Sequence, residues 1–363
     1  MASSLHSISA PLWLRTMSSA AGALLRASEP SLCVLRDGPP AVSRRGPSWS
    51  TVGRYSVRMV EIVAQPFALL WPCYKVGLRD KKGMAESEGQ VSAVQGHYTR
   101  DDIAQRVLAA ARAAAGPGVP LTPDVLAPID HFHGGGLAST RELMVLLEPS
   151  AGETVLDIGC GIGGPARWIA STFGCQVTGI DLTAAFCRAA EMLNAETGLG
   201  DKVKIFEASA LALPFEPNSF DRAYSQNVVM NIADKKGFYR EAFRVLRPGG
   251  VLAMANLCAG PGGEPYYPAP WATTAATSFL STPEETRRDL EQTGFEVVRF
   301  EDTSARTAAA RAAQRLRLES ECLPALGFHV FMGAHMLEAM INTARSAEEG
   351  RGTSVEILVR KPG

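Results

Sequence analysis

A chain of 363 residues, 46% hydrophobic and 20% charged, with a formal net charge of −1, can bury a substantial core and is neither a disordered polar chain nor a coiled coil. Residues 1–83 hold 11 Lys and Arg against 4 Asp and Glu, whereas the remainder holds 25 against 33; that acidic body argues against a nucleic-acid surface, which needs clustered basic groups. No apolar run reaches the roughly 18 residues of a membrane span, since residues 60–78 are broken by Glu61, Gln65, Pro66, Pro72 and Lys75.

Residues 1–58 are rich in Ser, Ala, Arg and Pro, with only Glu29 and Asp37 acidic, a composition that suits an organellar transit peptide and a mitochondrial or plastid location. A non-structural leader, with a cytoplasmic body starting near Met84, accounts for residues 1–83 equally well. The spacing of Ile103, Val107, Leu108 and Ala111 predicts a helix over 90–115, stopped by the Gly/Pro run 116–120. A loop over 127–136 carries Asp130-His131-Phe132-His133 and three glycines, and a second helix over 138–147 completes an N-terminal helical cap, 84–148.

From residue 149 to 363 strand-like and helix-like runs alternate. Strands are predicted at 154–158, 176–180, 202–207, 220–225, 250–255, 295–300 and 354–360, and helices at 165–172, 184–197, 235–245, 283–293, 308–321 and 331–347. This is the pattern of an α/β domain, a parallel sheet with helices on both faces. The seven cysteines form no CxxC pair, so no zinc cluster or other metal site is expected and the thiols are read as reduced.

The strongest chemical signal is Val155-Leu156-Asp157-Ile158-Gly159-Cys160-Gly161-Ile162-Gly163-Gly164-Pro165, a strand running into a glycine-rich turn with proline at a helix start. Gly164 falls three residues after Gly161, so spacing alone also admits a dinucleotide fingerprint. Asp157 separates the two: a carboxylate there repels a pyrophosphate but suits a cationic amino-acid group. Asp181, ending the next strand, can accept from both hydroxyls of a ribose. Helix capping or surface solvation is the plain structural alternative for both aspartates.

At these residues the sequence resembles the class I S-adenosylmethionine-dependent methyltransferases, over about 97–362. Within them it is most similar to the small-molecule branch, and above all to sarcosine/dimethylglycine N-methyltransferases and natural-product O-methyltransferases. Supporting stretches are His97-Tyr98-Thr99-Arg100, Leu213-Pro214-Phe215, Leu246-Arg247-Pro248-Gly249-Gly250 and 262–271. The resemblance implies a Rossmann-like seven-stranded sheet with S-adenosyl-L-methionine as cofactor. Gly159, Gly161 and Gly163 would pass under its methionine part, with Asp157 near the ammonium, Asp181 on the ribose and Leu182 on the adenine face. Ser209, Ala210 and Leu211 would contact adenine, Ser209 replacing the family's usual Asp, and Ser225 and Gln226 would line the methionine end. Tyr98 would cap that end, and Tyr266, Tyr267 and Trp271 would serve the acceptor from a lid near 258–282.

A hydroxyl acceptor needs a base, for which His131 and His133 are the candidates, with His97 a further one; Asn231 can orient a substrate but takes no proton. The expectation is therefore methyl transfer to a small amine of the glycine, sarcosine or dimethylglycine type, with O-methylation of a natural product, sterol or quinone as the alternative. A nucleotide-dependent oxidoreductase and an inactive cofactor-binding scaffold are the readings from other classes. Arg306, Arg311, Arg315 and Arg317 fall on one predicted helix, a pattern that fits a carboxylate-bearing substrate, an anionic membrane surface or simply a solvated face.

Overall fold

The computed structural model describes residues 102–320, 325–333 and 335–363. The leader 1–83, Tyr98, His97 and the first turns of the helix expected over 90–115 lie outside these residues. Three helices open the described chain: α1 (Ile103–Ala115), α2 (Pro123–Asp130) and α3 (Gly136–Leu147). The alternating region follows as β1 (Thr154–Ile158), α4 (Gly164–Phe173), β2 (Gln176–Asp181), α5 (Ala184–Glu196), β3 (Val203–Glu207), β4 (Phe220–Gln226), α6 (Lys235–Val245) and β5 (Leu246–Ala259). It ends with α7 (Pro283–Thr293), β6 (Glu296–Asp302), α8 (Ser304–Glu319), α9 (His329–Met332), α10 (His335–Glu348) and β7 (Gly352–Arg360). No described helix is long and apolar enough to cross a membrane.

The seven strands form one sheet in the order β3-β2-β1-β4-β5-β7-β6. Strands β1 to β5 pair in parallel, but β7 runs antiparallel to both β5 and β6, so the sheet is mixed where the alternation predicted a parallel one. Alternation along β1 feeds two cores. Leu156 and Ile158 join Phe238, Leu252 and Ile357 on one face, while Val155 joins Leu143, Ile169 and Val177 on the other. A third cluster joins α1 to α5, α9 and α10 through Val107, Leu126, Phe186, Phe331 and Met336.

Two local departures from expectation have chemical causes. Helix α2 forms where a loop was expected from residue 127, because Thr122 accepts from the Val125 N–H and Pro123 stands in the first turn, its fixed φ preset for a helix. The single helix expected over 331–347 is divided into α9 and α10 by Gly333, whose φ of 92° no continuing helix can hold.

The chain reverses direction across the sheet between β1, which leads to β2 and β3, and β4, which leads to β5. Ligands of such sheets bind beyond the carboxyl ends of the strands at this point.

Candidate active site

A cavity of about 1030 Å³ lies at that edge. One wall is the turn after β1. Gly159 adopts φ +84°, and a Cβ built there would fall 2.3 Å from Val228 Cγ2; Gly161, φ +53°, faces open space. Gly163 has a different task. It starts α4 with φ +78° beside the Arg167 guanidinium, and it is absent from the cavity wall.

Two carboxylates sit in this wall without a cation. Asp157, at the end of β1, is buried and accepts from Tyr224 Oη at 2.6 Å. Burial pushes its carboxyl up to about 7, against the pull of the Tyr224 hydrogen bond, and the charge of Asp181 adds to the rise. Asp181 accepts from the Gly161 and Thr183 N–H groups, at 2.9 Å each, and burial raises its carboxyl as well. Neither is drawn into an ion pair by a described side chain. Leu182, Ser209, Ala210 and Leu211 continue this wall, and Ser209 Oγ accepts from the Leu211 N–H at 3.2 Å.

The roof joins the cap to later helices. Phe132 meets Phe186 and Phe328 edge-on, with ring centroids 6.2 and 5.0 Å apart, and all three rings line the cavity. His133 lines it too. Its Nδ1 stands 3.3 Å from the Gly134 carbonyl and its Nε2 3.1 Å from the Thr140 hydroxyl oxygen. Thr140 in turn donates its hydroxyl proton to Gln226 Oε1 at 3.2 Å. Burial lowers the His133 imidazole to about 4.

His131 is not in the wall. Its Nδ1 bonds Asp130 Oδ1 at 2.9 Å within a buried cluster, where Arg167 donates to Asp130 Oδ2 at 2.9 Å, to the Ile162 carbonyl and to Asn194. Burial opposes ionisation of Asp130, but the His131 hydrogen bond and the Arg167 charge prevail and hold its carboxyl below the usual range.

Of the remaining candidates, Gln226 lines the cavity, whereas Ser225 turns away and donates to the Ile158 carbonyl at 3.0 Å, tying β4 to β1. Asn231 lines it and donates from Nδ2 to the Trp271 carbonyl at 2.7 Å, fastening the 258–282 segment. Trp271 faces the cavity, while Tyr266 and Tyr267 do not. The Tyr266 ring already carries the Arg345 and Arg351 guanidinium groups, 4.1 and 4.3 Å from its centroid, and its hydroxyl donates to Glu349. Tyr267 packs with Met230, Ala269 and Trp271.

The three phenylalanines and Thr140 behind His133, to which the sequence reading assigned no role, complete the site, with a far wall built from Thr307, Ser354 and Glu356 and from Arg306 and Arg311, two of the helix arginines read above as fitting a carboxylate-bearing substrate, a membrane surface or a solvated face. The spacing 303, 307, 311 puts one face of α8 on the cavity, a signal visible in the sequence once the helix is placed.

The switch-point sheet, the glycine turn and the two strand-end aspartates define a class I nucleoside-cofactor site. Residues 156–254 match the family described as Methyltransferase domain. The chain is 36% identical over 168 residues to the O-methyltransferase resE of Aspergillus sclerotiorum, covering 45% of this chain and 62% of that one. It is 35% identical over 127 residues to phosphoethanolamine N-methyltransferase 1 of Arabidopsis thaliana, covering 35% and 26%. The chain thus spans less than two thirds of the curated relatives it matches. Among solved structures, the [4+2]-cyclase SpnF is similar with a TM-score of 0.55 at 22% identity, covering 75% of this chain and 97% of that one. Haemonchus contortus phosphoethanolamine N-methyltransferase 2 gives 0.54 at 22%, covering 64% and 55%.

S-adenosylmethionine fits the residues present. Asp157, buried, and Asp181, half-buried, are acids without cations beside the open space over Gly161, and they complement an ammonium and a ribose diol. The Leu182 and Ser209–Leu211 stretch supplies a mostly apolar surface for a purine.

Proposed function

We propose that the protein transfers a methyl group from S-adenosylmethionine to a small-molecule amine, with alignment rather than proton abstraction as its main contribution. The observation that carries this reading is the state of His133, the imidazole in the wall nearest Gln226. With burial holding its conjugate acid at about 4, it is a weak base at neutral pH. An amine that arrives unprotonated needs no such base; a hydroxyl does.

The sulfonium donor supplies a methyl group that is already activated toward displacement. The residues then have to hold two reactants in line, which is worth roughly 7–11 kcal/mol of barrier. Asp157 and Asp181 fix the donor's polar ends. The Phe132, Phe186 and Phe328 roof excludes water. Asn231 secures the 258–282 segment, and with it the Trp271 ring, against the acceptor side.

Calorimetric titration with S-adenosylhomocysteine and, separately, NADH tests the class. Binding of the first alone is the expected result, followed by methyl transfer to glycine, sarcosine or dimethylglycine. NADH binding would point to the oxidoreductase reading, and binding without turnover on amines or phenols to the scaffold. Relatives that methylate oxygen keep O-methylation as the competing reading; it requires His133→Asn to abolish turnover, whereas an amine acceptor predicts that much of it survives.

A further inference from the structure

The two arginines in the far wall of the cavity are in opposite electrostatic situations. Arg306 is neutralised: it pairs with Glu356 at 2.7 Å, Glu301 at 3.4 Å and Glu142 at 3.5 Å. Arg311, five residues further along α8, has no carboxylate partner among the described residues, and its guanidinium donates only to the neutral Ser354 Oγ. It is half-buried, and that burial disfavours its charged form. A guanidinium keeps its charge in proteins, so a desolvated one at a cavity wall with a single neutral partner lacks its counterion. Resting on the methyltransferase reading, we propose that Arg311 anchors an anionic group, carboxylate or phosphate, on the methyl acceptor.

Position within the sheet assigns the anion to the acceptor rather than to the cofactor. Ser354 lies on β7, opposite Leu257 of β5, and β5 pairs with β4 through Gln226 and Ala255. From β1, which carries Asp157, to β7 is three strand spacings, about 14 Å. From Gln226 it is only two, with a two-residue advance along the strands, on the order of 12 Å. The cavity is thus acidic over β1 and β2, where a cationic cofactor end fits, and offers its one uncompensated cation among the described wall residues over β7. An acceptor with its nucleophile toward Gln226 and its anion toward Arg311 spans that distance. The planar fork of arginine also suits two-point contact with carboxylate or phosphate oxygens.

The test uses the full chain saturated with S-adenosylhomocysteine and two matched probe pairs: dimethylglycine against 2-(dimethylamino)ethanol, and phosphoethanolamine against ethanolamine. In the wild type the member of at least one pair that carries the carboxylate or phosphate is expected to bind about tenfold or more tightly than the counterpart that lacks it, the usual worth of a charge-assisted contact. Whichever pair shows the larger ratio distinguishes carboxylate from phosphate. Arg311→Met should erase the preference and leave S-adenosylhomocysteine affinity unchanged, while Arg315→Met, one turn further along α8, outside the cavity wall and paired with Glu319 and Glu348, should retain both. Ser354→Ala, which loosens the guanidinium without removing it, should weaken the preference severalfold and serves if Arg311→Met does not fold. Equal or undetectable binding of both members in both pairs, a preference that survives Arg311→Met, or a loss of S-adenosylhomocysteine affinity in that variant would each overturn the proposal. Failure of the wild type to bind S-adenosylhomocysteine would instead defeat the methyltransferase reading.

Discussion

Two glycines of the β1 turn do different work, and single methyl groups separate them. At Gly159 a Cβ collides with both γ-carbons of Val228, at 2.3 and 2.8 Å, and the residue sits in the left-handed region at φ +84°. Gly159→Ala is therefore expected to push back the Val228–Asn231 turn, lowering both the unfolding midpoint and S-adenosylhomocysteine affinity. Adding Val228→Ala should recover part of the stability but not the roughly 1–3 kcal/mol of backbone strain. Gly161 shares the backbone need but has open space where its Cβ would go, so Gly161→Ala should cost more in ligand affinity than in stability. Thermal melts with and without S-adenosylhomocysteine separate the two cases. At this scale the sequence was informative: Asp157, Gly159, Gly161, Asp181 and Gln226 all reach the cavity. It was blind to direction. Ser225 and His131 each neighbour a cavity residue yet turn elsewhere, because a strand alternates its side chains and a histidine follows whichever partner is buried beside it.

The joint between the cap and the sheet domain is made by elements, above all α2 against α4. The Asp130 carbonyl lies so close to Gly164 that a Cβ there would approach it to 2.3 Å, and Arg167, one turn into α4, meets the Asp130 carboxylate with both side chains fully buried. Removing the guanidinium leaves a buried carboxylate with only His131 beside it, a situation that costs about 3–5 kcal/mol. Arg167→Met should lower stability by that order in urea titration, and Arg167→Met with Asp130→Asn should lose clearly less than the sum of the two single changes. A simple sum would show that the pair does not hold the joint. Alternating patterns made the β1–β5 elements legible, and the Gly163-Gly164-Pro165 run marked the start of α4. The antiparallel β7 was not legible. Its residues read as a strand, but strand direction is fixed by the α10 connection returning over the sheet edge, which periodicity does not encode. The far wall was hidden for the same reason: Arg311 and Ser354 are 43 residues apart and meet only through that return.

Across the whole molecule, the buried acids make the fold and the cofactor compete for one proton. A carboxyl whose pKa is higher in the folded than in the unfolded chain binds more protons when folded, so its contribution to stability is present at low pH and lost as pH rises. For Asp157, raised from 3.8 to about 7, the window runs from about pH 4 to pH 7 and the loss is roughly 4 kcal/mol, with Asp181 adding in the same direction. Asp130 acts oppositely: its lowered carboxyl stabilises the fold above the ordinary carboxylate range, and that contribution is lost as pH falls below it. An ammonium placed beside Asp157 reverses the first cost by pairing with the ionised form. The ligand-free protein should thus melt at lower temperature at pH 8 than at pH 6, and the stabilisation by S-adenosylhomocysteine should be larger at pH 8. Near pH 6, calorimetry in buffers of different ionisation enthalpy should show up to about one proton released per ligand bound. Asp157→Asn, which keeps a Tyr224 partner but has no charge to gain, should flatten both pH dependences and weaken binding at pH 8 most. If the melting shift by S-adenosylhomocysteine is the same at pH 6 and pH 8 in the wild type, the carboxyl is not the group that meets the cofactor's cation.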